Sequence, residues 1–80
     1  MIRLVFLGRL ADLAGAPEFA LEADKPLTLD AVIARMHASL GAALRDEKIK
    51  LALNGALVAR DGLVAAPGDE LAFLPPVSGG

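Results

Sequence analysis

Ile2 to Leu7 alternates without a turn residue, placing Ile2, Leu4 and Phe6 on one face and Arg3, Val5 and Leu7 on the other, the period of a β-strand. The second of these faces is oddly apolar. Leu10, Ala11, Leu13 and Ala14 then suggest a short helical segment, which Gly15 can end as a left-handed cap before Pro17 forbids continuation. From Glu18 to Ala23 the period is again two, with Phe19, Leu21 and Ala23 opposed to Glu18, Ala20 and Glu22, and Asp24-Lys25-Pro26 makes the exit turn. Thr28 is a good N-cap for the only substantial helix, placed at Leu29 to about Leu40 and closed by Gly41. Leu27 can staple onto Val32, and Leu29, Val32, Ile33, Met36 and Leu40 form one apolar stripe. After the polar stretch Arg45-Asp46-Glu47, Ile49, Leu51 and Leu53 alternate with Lys48, Lys50 and Ala52 as a third strand. Asn54-Gly55 is a strong hairpin signal, with Ala56 to Ala59 as the returning strand and Arg60-Asp61-Gly62 as the next turn. Pro67-Gly68-Asp69 precedes a last strand, Glu70 to Leu74, with Leu71 and Phe73 opposed to Ala72 and Leu74.

This order predicts an α+β domain: a mixed sheet of four to five strands with one main helix packed on one face. One helix covers only one face. The other face of the first and last strands carries Val5, Leu7, Ala72 and Leu74, where a solvated sheet would present polar residues. If those strands are neighbours they form an exposed apolar patch, the usual mark of a protein interface; the alternative is that the Leu10 to Ala14 segment or a loop covers them. Composition points the same way. Hydrophobic residues make up 55% of the chain and eight glycines come on top, beyond the roughly 45–50% of the same set in ordinary soluble domains.

The last residues differ from everything before them. Residues 1–74 read as the folded domain and 75–80 as a tail, in which Pro75 and Pro76 fix φ, remove two backbone donors and keep the chain extended. Gly79-Gly80 is thin and flexible and ends in a carboxylate. An α-carboxyl ionises at roughly 3.3–3.7, so it is charged at neutral pH and can act as a nucleophile toward an activating phosphate. No other residue stands out for chemistry. The 80 residues include no cysteine, which removes disulfides, thiol nucleophiles and cysteine-ligated metals, and His37 is the single histidine, expected at the surface or boundary with no metal site around it. Met36 reads as core filler, and the carboxylates are spread singly apart from Asp46-Glu47 and Asp69-Glu70. Gly8 and Gly15 lack the spacing and the Lys-Ser/Thr of a phosphate loop. A net charge of −2 with scattered basic residues argues against nucleic acid and anionic membrane. The N-terminal apolar run, Leu4 to Leu7, is too short for a signal peptide or a span, so the cytoplasm is the expected compartment.

Several stretches together resemble the sulfur-carrying small subunits of molybdopterin synthase, a MoaD-type branch of the ubiquitin-like β-grasp proteins. They are Met1 to Leu7, Leu10 to Gly15, Thr28 before the helix, Leu53-Asn54-Gly55, and above all Gly68 to Gly80 with its Phe73-Leu74-Pro75-Pro76-Val77-Ser78-Gly79-Gly80 ending. That family often carries Arg-Glu-Leu where this chain has Ala11-Asp12-Leu13. The resemblance implies that an E1-like activating enzyme uses ATP to adenylate the Gly80 carboxylate, and that a sulfurtransferase-supplied sulfur then replaces AMP as a thiocarboxylate. It further implies a non-catalytic subunit whose tail enters a large catalytic subunit, in a heterotetramer of two small and two large chains, and gives sulfur to cyclic pyranopterin monophosphate. No permanently bound cofactor is implied. Positions matching Leu7, Leu57 and Leu74, together with Phe73, Pro75, Pro76, Val77 and Ser78, would meet the partner, and Gly79 would be small so as to pass a narrow channel. Three other readings share parts of this pattern: a thiamine-pathway sulfur carrier, a ubiquitin-like modifier joined through Gly80 to lysines, and a β-grasp binding module with an inert tail.

Overall fold

The computed structural model of the chain describes residues 1–76. Its centre is the pairing of the two ends of the sequence. Strand β1 (Ile2–Phe6) lies parallel to β7 (Glu70–Leu74), with Arg3, Leu4, Val5 and Phe6 opposite Glu70, Leu71, Ala72 and Phe73. A parallel pair cannot be joined by a tight turn, so the intervening chain has to cross over one face of the sheet. Helices α1 (Arg9–Ala14), α2 (Leu29–Ala34) and α3 (Ala38–Leu44) are in that crossover. Outside the central pair, β2 (Glu18–Leu21) adds antiparallel to β1, and β4 (Lys50–Leu53) adds antiparallel to β7 and carries β5 (Ala56–Val58). The five-stranded order is β2-β1-β7-β4-β5.

The predicted alternation assigns the core correctly in β1 and β7, whereas Phe19, on the same face as Leu21 of the edge strand β2, is 50% exposed. Ile2, Leu4, Phe6, Leu71 and Phe73 from the central strands meet Val32, Ile33, Leu40 and Leu44 from the helices, all essentially without exposure. Phe6 and Phe73, partners in the register, stack with centroids 5.5 Å apart and planes 12° from parallel. Each such side chain stabilises the fold by about 1.5–3 kcal/mol on burial. Thr28 caps α2 as expected, its Oγ1 accepting from the Ala31 amide at 3.2 Å, and Gly15 ends α1 at φ 86. Asn54 and Gly55 take φ 52 and 85 in the β4–β5 hairpin, the left-handed pair that such a two-residue turn requires.

The single long helix expected from Leu29 to Leu40 is two helices. Arg35 to His37 break it, and His37 is extended at φ −64, ψ 159. The reason is local competition for backbone groups: His37 Nδ1 accepts from the Leu40 amide at 3.3 Å, starting α3 afresh, while Nε2 lies 3.2 Å from the Leu13 carbonyl of α1. Gly41, expected as a terminator, instead lies buried inside α3 against Ile33 of α2. A second difference is a ribbon that the pattern did not reveal, β3 (Leu27–Thr28) with β6 (Val64–Ala65). Two residues per strand are too few to display a period.

Candidate functional site

Because the crossover occupies one face, the other face of the sheet is left open among the described residues. Reading across it in register, Glu18, Val5, Ala72, Ala52 and Leu57 stand side by side on β2, β1, β7, β4 and β5. The middle of that row is apolar. One step along the strands, Leu74 stands opposite Lys50, and Leu7 continues the ladder by donating its amide to the Phe73 carbonyl at 3.1 Å. Leu57 is 72% and Leu7 43% exposed, whereas Val5, Ala72 and Leu74 are half-buried. Helix α1 does not cover this face; it inserts Leu10 into the core and packs against α3. The apolar patch expected from the alternation of β1 and β7 is therefore present, and it reaches further, through Ala52 to Leu57.

Polar groups bound the patch on the side away from the tail. Arg3 Nη2 lies 2.6 Å from Glu18 Oε1, and Arg3 Nε lies 3.8 Å from Glu70 Oε2. These side chains are about half exposed, so the pairs contribute at most about 1 kcal/mol and define an edge more than they stabilise it. Below them, Asn54 Nδ2 donates to Asp69 Oδ1 at 3.0 Å, the Glu70 amide donates to Asn54 Oδ1 at 2.9 Å, and the Ala66 amide donates to Asp69 Oδ2 at 2.8 Å. The Ala66 amide first and the Asn54 amide second hold the Asp69 carboxyl below its ordinary value, against a slight opposing effect of desolvation. This corner ties the hairpin to the start of β7. Among the described residues no polar or charged side chain is buried, and no three potential metal ligands gather.

The tail begins at the opposite end of the patch. Strand β7 ends at Leu74; Pro75 is half-buried and Pro76 exposed. Of the residues expected to meet a partner, Leu7, Leu57, Leu74, Pro75 and Pro76 lie on or beside the open face. Phe73 does not. Its side chain has no exposure and is stacked on Phe6, because the strand alternation that turns Leu74 outward turns Phe73 inward. Val77, Ser78, Gly79 and Gly80 lie outside the described residues. Ala52 also belongs to the face, and its only signal in the sequence is its place between Leu51 and Leu53.

Comparison with known proteins follows the same outline. Over 83 aligned positions, which cover the whole of both chains, the protein is 37% identical to the molybdopterin synthase sulfur carrier subunit of Escherichia coli. Its fold superposes on small archaeal modifier protein 1 of Haloferax volcanii with a TM-score of 0.73 at 28% identity, over 99% of this chain and 98% of that one. It also superposes on a chain of the Helicobacter pylori complex of subunits 1 and 2 of molybdopterin-converting factor, with a TM-score of 0.65 at 24% identity over 99% and 97% of the two chains. These neighbours share the ubiquitin-like β-grasp architecture found here, a mixed five-stranded sheet with helices on one face. Residues 4–80 match the model of the ThiS family, and the chain belongs to that family.

Proposed function

We propose that this protein is a sulfur carrier and the small subunit of a molybdopterin synthase. The observation that carries the reading is the 37% identity to the Escherichia coli sulfur carrier subunit along the entire chain, including the strand that leads into the tail. In this reading the Gly80 carboxylate attacks the α-phosphorus of ATP on an E1-like enzyme, pyrophosphate leaves, and sulfur at the sulfide level displaces AMP to give the thiocarboxylate. The large subunit docks on Leu7, Leu57 and Leu74, and the loaded tail delivers its sulfur to cyclic pyranopterin monophosphate. An apolar face on an otherwise well-buried domain supports a standing partner. No helix among the described residues is long and apolar enough to cross a membrane.

The test is the intact mass after incubation with the activating enzyme, ATP and a sulfur source, beside a variant lacking Gly80. A gain equal to one oxygen exchanged for sulfur, confined to the C-terminal peptide and absent from the variant, is the expected result. An unchanged mass, with the enzyme verified on another carrier, would sink the reading. The likeness to the archaeal modifier favours one second reading, a conjugate through Gly80 to lysines of other proteins. Isopeptide-linked adducts recovered from cells would support it, and a thiamine-pathway acceptor in place of the pyranopterin would move the carrier to its other known branch.

A further inference from the structure

Gly8 belongs to none of the motifs above, yet its place in the fold is unusual. The chain leaves β1 and turns at once: the Leu10 amide donates to the Leu7 carbonyl at 3.1 Å, closing a four-residue turn with Gly8 in second position. Gly8 has φ 56 and ψ −135, the mirror-image turn geometry that glycine adopts and an L side chain avoids. A second observation is independent of the first. A Cβ built on Gly8 would come within 3.1 Å of Cγ and 3.9 Å of Cδ of Pro75. The proline ring therefore rests over the bare face of Gly8, two residues past the Phe73 carbonyl that the Leu7 amide holds at 3.1 Å.

From this geometry we infer that Gly8 is a positioning residue for the reactive tail: its missing side chain seats Pro75, and that seat sets the heading with which the chain leaves the domain. The inference rests on the carrier reading above. Four residues follow Pro76, and extended they reach roughly 14 Å. Since a misplacement of about 1 Å can cost about a hundredfold in rate, a shift of the point where the tail leaves the domain should be readable in kcat. Leu7 and Leu74, docking residues in the carrier reading, directly precede Gly8 and Pro75, so the readout that isolates the seat is loading by the activating enzyme and not affinity for the large subunit.

The experiment is steady-state loading of the carrier by its activating enzyme, with kcat and KM for the carrier measured separately for wild type, Gly8→Ala, Pro75→Ala and the double variant. Gly8→Ala adds a Cβ and strains the turn, whereas Pro75→Ala removes the ring and leaves the turn alone. Each single variant is expected to lower kcat about tenfold at unchanged KM. Both disturb the same seat, Gly8→Ala by crowding it and Pro75→Ala by emptying it, so the double variant should be about as slow as the slower single and not about a hundredfold impaired, as independent defects would be. Wild-type kcat in either single variant, losses that multiply in the double, or a change confined to KM would overturn the positioning role. If Gly8→Ala fails to fold, Pro75→Ala alone decides: full kcat there refutes the seat. A wild-type protein that is never loaded defeats the carrier reading and this inference with it, while a loaded wild type with equally loaded variants defeats this inference alone.

Discussion

Asn54 shows how much one side chain can tie together. It is the one non-glycine residue with positive φ among the described residues, its amide nitrogen donates to the Asp69 carboxylate, and its side-chain oxygen accepts from the Glu70 amide. Alanine there loses two partly solvated hydrogen bonds, about 0.5–1.5 kcal/mol each, and pays about 1 kcal/mol or more for the left-handed backbone. We expect Asn54→Ala to cost about 2–3 kcal/mol, which lowers Tm by roughly 10–20 °C in a domain of this size. Asn54→Gly keeps the backbone at ease and should cost visibly less by thermal denaturation; equal losses would show that the φ angle contributes nothing. Asp69 adds a pH dependence. Its folded-state pKa is depressed, so its contribution is fully present above the unfolded value, about 3.9, and is lost as pH falls through the lower folded value. Urea unfolding should therefore show wild type more stable than Asp69→Asn at pH 7, with the gap narrowing as pH falls below the ordinary carboxylate range. A gap that stays constant would mean the charge on Asp69 is irrelevant and only its shape matters. Asn54-Gly55 was legible in the sequence as a turn, but its bond to Asp69 was not, because the two residues meet only once β4 and β7 pair.

At the level of elements, the five strands of the main sheet were read from the chain to within two residues at their ends, and the β3–β6 ribbon and the break between the helices were not. Alternation is a direct record of a two-sided sheet, so Leu71 and Phe73 inward, Ala72 and Leu74 outward, followed from order alone. The apolar stripe Leu29, Val32, Ile33, Met36 and Leu40 looked like one helix because α2 and α3 bury the same side, toward the same sheet. What separates them is a hydrogen bond to His37, and a histidine is not read as an N-cap from sequence. Gly41 likewise looked like an end and is an interior residue of α3. There a Cβ would meet Arg45 Nη1 at 3.4 Å, the Ile33 carbonyl oxygen at 3.5 Å and Ile33 Cγ2 at 3.6 Å, with no φ objection. The nearest of these is the far end of a flexible side chain. Alanine gains about 0.8–1 kcal/mol over glycine in a helix interior, so Gly41→Ala is expected to stabilise by about 0.5–1 kcal/mol after slight adjustment. Gly41→Leu, by contrast, should destabilise by about 1–3 kcal/mol, since the α2–α3 contact has no room for a branched side chain. Denaturant midpoints for the two variants moving in the same direction would contradict this packing.

For the molecule as a whole, the fold places the tail and the apolar face at adjoining positions on β7, so that one strand serves both. Its inward residues hold the domain together, and its outward residues Ala72 and Leu74 belong to the apolar face. That division yields a sharp expectation for where charge can be tolerated. Leu57 is 72% exposed on the edge strand β5, and Leu74 is half-buried opposite Lys50. Aspartate at position 57 exchanges an exposed leucine for a charge in water, so stability should change by no more than about 0.5 kcal/mol. If the face is the partner's docking surface, the same substitution buries an unpaired carboxylate in the complex and should weaken binding by about 2–4 kcal/mol, some thirtyfold or more. Leu74→Asp should weaken binding at least as strongly, but it also removes half-buried area on folding and so costs stability in the free protein, by about 1 kcal/mol. The contrast between the two is the useful measurement. Binding lost at both positions, with Tm held for Leu57→Asp and slightly lowered for Leu74→Asp, identifies the face as an interface. Binding unaffected by Leu57→Asp would confine the contact to the end of β7 and the tail, and would leave the apolar row from Val5 to Leu57 without a role in assembly.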